Sequence, residues 1–251
     1  MSTIVIGDIH GESQALRDLL RQVVPVLRAA DTLVFLGDYI DRGPDTRGVI
    51  DQLVQLRRRA AFRVVPLLGN HEQWLLRTIA DPTHHSWLIG MESLETVASY
   101  SREAASALLR ALEEAGPALF TSRRTLPYEL FFQVMPRDHL EFLQDLEVNL
   151  RTPDVVCAHA GFALHGDPLG AAEQDVYVWG REGSPEGYRG SETVAYGHWD
   201  NALIDERGGV HPRVRSNRSF GLDTISHGVL TAVRFPDRDV WHGTTPKNIP
   251  P

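Results

Sequence analysis

The chain predicts an α/β fold with a parallel sheet, on three observations. Short β-branched runs alternate with segments of helical periodicity through the first third, and strand-like runs return in the last third after a long helical stretch. Several of the strand-like runs end in a glycine turn followed at once by a carboxylate, an amide or an imidazole. Alternating strands and helices build βαβ units with right-handed crossovers, and ligands bind beyond the carboxyl ends of such strands.

The elements follow in order. Residues 3–6 form a β-branched run, and residues 12–24 place Ala15, Leu16, Leu19, Leu20 and Val23 at helical spacing. A second strand is expected at 32–36, a second helix at 46–56 on Val49, Leu53 and Leu56, and a third strand at 62–68. Residues 72–149 read as helical, with helices at 103–114 and 137–146 and turns near Gly116-Pro117 and Pro127. This stretch is expected to form a helical cap inserted at roughly 73–150 of a single domain spanning 1–251. Strands are then predicted at 154–158, 193–196 and 219–222, with a hairpin of 229–235 and 240–242 across Pro236-Asp237-Arg238-Asp239. All of these are expected in a second sheet packed on the first.

Composition narrows the classes of function. With 42% hydrophobic residues the chain can bury a sizeable core, and no linker, repeat or low-complexity segment divides it. Its 25 basic and 33 acidic residues give a net charge of -8, which argues against a general affinity for nucleic acid. Arg57-Arg58-Arg59 reads as a solvated helix face. The single cysteine, Cys157, excludes an intramolecular disulfide and reads as a buried structural thiol. No signal-like segment precedes residue 3 and no apolar run reaches spanning length, so a cytoplasmic protein is expected, without a membrane partner.

Five separated patches carry the chemistry: Gly7-Asp8-Ile9-His10-Gly11, Gly37-Asp38-Tyr39-Ile40-Asp41-Arg42-Gly43, Gly69-Asn70-His71-Glu72, Ala158-His159-Ala160-Gly161 and Gly197-His198. Asp8 and His10, two apart on an extended strand end, point the same way. A carboxylate with an imidazole suits manganese, iron or zinc, and one carboxylate can bridge two ions. Any single patch is equally a turn former. Of the eleven histidines, His84, His85, His139, His165, His211, His227 and His242 are assigned to surface or hydrogen-bonded core roles. Glu72 is read as complementing the dipole of a helix start, and Trp179 and Trp199 as packing residues.

In order and spacing these patches resemble the metallophosphoesterase superfamily, and within it the phosphoprotein phosphatase type, including bacterial serine/threonine phosphatases. The likeness runs from Gly7 to Thr231-Ala232; in the helical middle it rests on Trp87-Leu88-Ile89-Gly90 and Ser99-Tyr100. It implies a calcineurin-like fold, a four-layer α/β/β/α sandwich of two packed mixed β-sheets flanked by helices. It also implies two metal ions, manganese foremost and iron or zinc otherwise. Asp8, His10 and Asp38 would hold one; Asp38, Asn70, His159 and His198 the other.

The reaction so implied is attack on phosphorus by a hydroxide bridging the two ions, with His71 as general acid and Asp41 orienting its imidazole. Arg42 and Arg181, in Trp179-Gly180-Arg181-Glu182, would grip phosphate oxygens. The expected substrate is phosphoserine or phosphothreonine in a protein, or a phosphorylated small molecule. A symmetrical dinucleoside tetraphosphatase, cutting a phosphoanhydride with the same centre, is the enzymatic alternative, and a silent metal-binding scaffold the alternative of another class. Two departures bear on substrate preference: Trp199-Asp200 follows Gly197-His198 where the family has Thr-Pro, and Asp223-Thr224 is not followed by Gly-Ala.

Overall fold

The computed structural model describes residues 1–245 apart from 121–122, 172, 182–183, 186 and 216–217. The chain opens with β1 (Thr3–Ile6), α1 (Ser13–Val23), β2 (Thr32–Phe35), α2 (Thr46–Arg59), β3 (Arg63–Pro66) and α3 (Asn70–Ala80). The middle holds α4 (Ser86–Gly90), α5 (Leu94–Tyr100), α6 (Arg102–Ala115), α7 (Glu129–Phe132) and α8 (Arg137–Gln144). It closes with β4 (Asn149–Arg151), β5 (Val156–Ala158), α9 (Asp175–Trp179), β6 (Val194–Tyr196), β7 (Ala202–Ile204), β8 (Val210–Arg215), β9 (Ser219–Gly221), β10 (Val229–Phe235) and β11 (Val240–Thr244).

Two mixed sheets result, one ordered β11-β10-β1-β2-β3 and the other β4-β5-β6-β9-β8-β7. β1, β2 and β3 run parallel, as do β5, β6 and β9. The hairpin departs from expectation, because β10 and β11 join the first sheet, with β10 antiparallel to β1. The reason is burial: β1 is covered on both faces and needs a hydrogen-bonding neighbour on each edge, which β2 alone cannot supply. The second sheet instead gains β4, β7 and β8, short or half-exposed strands whose sequence carries little alternation.

The two-residue period of β1 divides the core. Ile4 and Ile6 face the helices with Leu16, Leu53, Trp87 and Phe131, whereas Val5 points between the sheets to join Leu67, Cys157, Ala195, Phe220 and Phe235. Cys157 lies in that seam as a buried free thiol, and burial pushes its pKa up. On the far face of the second sheet Val156, Ala158 and Tyr196 pack on Phe162 and Tyr177 of the α9 layer. These faces give the four layers of a calcineurin-like sandwich.

The predicted helices hold with small shifts of boundary. Asp45 caps α2 by accepting from the Gly48 amide, and α2 runs on to Arg59 because three arginines suit the negative end of its dipole. Arg57 lies 3.2 Å from Asp145 and Arg58 3.2 Å from Asp138, which ties α2 to both ends of α8. No helix among the described residues is long and apolar enough to cross a membrane.

Candidate metal centre

Parallel pairing brings the carboxyl ends of β1, β2 and β3 to one edge, and of β5 and β6 to the facing edge. The loops leaving them deliver Asp8 and His10, Asp38 and Asp41, Asn70 and His71, His159, and His198. All of these are buried or nearly so. The turns are tight enough that His10, Asp38, Asp41, Arg42 and His198 all adopt positive φ, between 45° and 69°, which non-glycine residues rarely adopt. The loops also touch closely: a Cβ on Gly197 would collide with Asp8 Oδ1, so only glycine fits before His198.

Asp38 stands at the middle. His159 Nε2 lies 3.4 Å from its Oδ1, and His10 Nε2 and His71 Nε2 lie 3.5 Å and 3.8 Å from its Oδ2. The candidate ligand atoms of Asp38, His159 and His198 all fall within 4.8 Å of one another, as do those of His10, Asp38 and His71. Asn70 closes the group, its side-chain oxygen 3.0 Å from both His159 Nε2 and His198 Nδ1.

The donor set fits cations on this structure's own evidence. His10 Nδ1 donates to the Ile40 carbonyl and His159 Nδ1 to the Leu36 carbonyl, so each Nε2 carries a lone pair aimed inward. Burial lowers the pKa of both rings, that of His10 to about 3, and burial with the His159 ring lowers His198 likewise to about 3. All three are therefore neutral near pH 7, as a ligand must be. Asp8 Oδ1 is buried without a hydrogen-bond partner, while Oδ2 accepts from the His198 amide at 2.8 Å. Burial, with Asp223 and Asp38 nearby, raises the Asp8 pKa; a bound cation would offset this. A concentration of lone pairs with an orphaned carboxylate oxygen is stable only around positive charge.

His71 is oriented from its far side. Its Nδ1 donates to Asp41 Oδ2 at 2.8 Å, leaving Nε2 toward Asp38 and the centre. Burial opposes charge on this ring, but Asp38 and Asp41 outweigh it and raise the pKa above the ordinary value. Asp41 is itself fixed by Trp87 Nε1 at 2.9 Å and Thr96 Oγ1 at 2.6 Å, both from the helical middle.

The motifs alone missed these two supports, and they understated Glu72. Its buried carboxylate accepts from the amides of Asp38, Tyr39, Ile40 and Gly69, so it moulds the Asp38 loop as well as sitting in the first turn of α3. Burial and Asp38 push its pKa up to about 8. An acid one residue after His71, on the inward face of a helix start, is the signal that would have marked it.

Arg42 is at hand: it donates to His10 Nε2 at 3.0 Å and lines a cavity of about 400 Å³ with His10 and Gly43. Arg181 stands apart from the cluster, exposed on the wall of a second cavity of about 340 Å³ shared with Trp74, Arg77 and Trp179. Trp179 packs on Trp74, as expected. Trp199 does not fit the packing role, because it is 48% exposed, with its ring 4.4 Å from that of His198. His85 and His139 are satisfied core histidines, bonded to Tyr128 and to Tyr100 and Asp51, and His211 pairs with Asp205 at the surface.

Comparison with known proteins agrees with this geometry. An asymmetrical bis(5'-nucleosyl)-tetraphosphatase, PrpE, of Bacillus subtilis is 28% identical, covering 94% of this chain and 92% of that protein. The PrpE of Anoxybacillus flavithermus is 30% identical over 94% of this chain and 91% of its own. A symmetrical enzyme of Edwardsiella ictaluri is 41% identical, but over 32% of this chain and 27% of its own. A solved structure named provisionally as a diadenosine tetraphosphatase superposes with a TM-score of 0.61 at 25% identity, covering 97% of this chain and 93% of its own. A yeast serine/threonine phosphatase shares the fold at a TM-score of 0.51 and 14% identity, over 100% of this chain and 81% of its own. The family model described as calcineurin-like phosphoesterase matches residues 1–199, and with the metal-ready strand ends this makes the chain a metallophosphoesterase, a hydrolase of the calcineurin-like phosphoesterase family.

Proposed function

We propose that the chain hydrolyses a phosphoanhydride bond of a dinucleoside polyphosphate, with cleavage at the asymmetrical position. The observation that carries this is the extent of likeness to tetraphosphatases so named, which runs through nine-tenths of both chains and thus beyond the metal motifs. A substrate with two nucleoside ends also suits a centre bordered by one cavity beside His10 and Arg42 and another beside Trp179 and Arg181. Phosphoserine or phosphothreonine in a protein has a shared fold in its favour and nothing finer.

Asp8, His10 and Asp38 would hold one metal ion and Asp38, Asn70, His159 and His198 a second; carboxylate and amide oxygens with imidazole nitrogens accommodate manganese, iron or zinc, of which manganese is our choice. Bound there, the ions supply Lewis-acid polarisation of phosphate oxygens and a water acidic enough to attack near neutral pH. The chain's own groups do the rest. His71 Nε2 gives its proton to the leaving phosphate oxygen, and Asp41 keeps the ring turned for that transfer. Arg42 donates to a non-bridging oxygen at the attacked phosphorus, and Arg181 to phosphates entering from its cavity. A nucleotide substrate and a lone reduced thiol both accord with a cytoplasmic setting.

The test is product analysis. Manganese-loaded protein given diadenosine tetraphosphate should yield AMP and ATP in equal amounts, stop on chelation and resume on adding manganese. Two molecules of ADP would move the cut to the symmetrical position; turnover of phosphopeptides alone would refute the proposal.

A further inference from the structure

Three of the five tryptophans of this chain cluster on one side of the metal centre. The Trp199 ring meets His198 edge to face at 4.4 Å, Trp179 meets the same imidazole at 6.4 Å, and Trp74 lies 4.8 Å from Trp179. Trp199 is 48% exposed, a costly position for so large an apolar surface unless something covers it. Its Nε1 lies 3.6 Å from where Gly180 would carry a Cβ, and Gly180 lines the cavity of about 340 Å³ walled by Trp74 and Trp179. Gly180 also has φ +73°, a conformation that side chains rarely adopt, so glycine at this point keeps the approach of Trp199 to the cavity mouth open.

Resting on the function proposed above, we infer that Trp199 and this cavity form a nucleobase subsite, with Trp199 as the stacking face and Arg77 and Arg181 as the cations that meet the phosphates. A purine presents a flat π-face that an exposed indole can cover, whatever its hydrogen-bonding edge. The adjacent arginines add charge where the ribose would hand over to phosphate. Because Trp199 touches a candidate metal ligand, a base seated on it brings its own nearest phosphate to the centre. That placement suits attack at the phosphate next to a nucleoside and so accords with asymmetrical cleavage.

Trp199 could instead serve only to hold the His198 ring, and the experiment separates the two roles. Steady-state kinetics of the manganese-loaded wild type, Trp199→Ala and Trp199→Tyr are measured on diadenosine tetraphosphate and on inorganic tripolyphosphate, which has no base. The subsite predicts that Trp199→Ala raises KM for the dinucleotide about tenfold or more, moves KM for tripolyphosphate less than about twofold, and is rescued by tyrosine. Equal loss on both substrates, or lower manganese content in Trp199→Ala, would overturn the subsite and leave Trp199 as a support for His198. Binding is read separately, as quenching of tryptophan fluorescence by AMP against methyl phosphate. Quenching by AMP alone, absent in Trp199→Ala, sustains the subsite even if the wild type prefers phosphopeptides and the proposed function fails. Equal quenching by both ligands, or by neither, would overturn it even if the dinucleotide is cleaved.

Discussion

At the strand ends Asp8, Asp38, Asp41, His71, Glu72 and His159 are at most 1% exposed, and in the helical middle Trp87, Leu108 and Phe131 are as completely buried. The first region buries charge and the second apolar surface, so their stabilities rest on different terms. A buried carboxylate or imidazole is tolerable only with partners, and at the strand ends these are groups of neighbouring loops together with the cations that the cluster would hold. The middle buries apolar groups on α2 and the first sheet, and it lends two hydrogen bonds to Asp41 from Trp87 and Thr96. The chemistry is thus assembled locally at strand ends, while its orientation depends on helices far away in sequence.

That contrast can be broken from either side. The largest effect is expected from Asp38→Ala, which removes the group shared by both clusters: metal content by elemental analysis should collapse, and activity should fall by roughly 10³-fold or more. Retention of two ions per chain would contradict the shared role of Asp38. Next, His71→Asn should lower kcat by about 10²–10⁴-fold on an alkyl phosphate, whose leaving alkoxide is strongly basic, and by less on an anhydride, whose leaving phosphate is a weaker base and gains less from the proton. Metal content should be unchanged. Full activity on the alkyl ester would rule out His71 as the acid.

A smaller loss, about 10–100-fold in kcat with metal content and fold retained, is expected for Thr96→Val and for Trp87→Phe, since each frees Asp41 to turn. If neither variant moves kcat, the helical middle is cover and not support. Smallest is a change remote from the centre. Asp31 accepts from the amides of Ser2 and Arg28; burial opposes its charge, but these donors outweigh it and hold its pKa below the ordinary value. A depressed carboxylate stabilises the fold above its unfolded pKa, and that contribution fades as pH falls through the folded value. Asp31→Ala should therefore cost about 1 kcal/mol near pH 7, with the gap to wild type closing below roughly pH 4 in denaturant titrations. A gap independent of pH would show that the charge contributes nothing.

The same contrast explains what the sequence made legible. Asp8, His10, Asp38, Asn70, His71, His159 and His198 each follow a strand-like run and a glycine or alanine, and that local grammar was enough to bring them to one place. β1, β2 and β3 with their helices could be read because period and spacing are local properties. The place of β10 could not, since pairing with β1 across more than two hundred residues is decided by which edge needs covering. Thr96 carries no motif, and Trp87-Leu88-Ile89-Gly90 marks a resemblance without a role for its tryptophan; the bonds of both residues to Asp41 become visible only once α4 and α5 pack over the β2 loop. The exposure of Trp199 is illegible for a related reason: a large apolar side chain favours burial, whereas its actual exposure of 48% depends on the cleft beside it.

The most direct test of the account is competition. Manganese-loaded wild-type protein is given diadenosine tetraphosphate together with phosphoserine and phosphothreonine peptides at equal concentration, and kcat/KM is compared, with chelated protein as the blank. The account predicts metal-dependent turnover with at least about tenfold preference for the dinucleotide. A preference for the peptides would contradict it and return the function to protein dephosphorylation at the same strand ends.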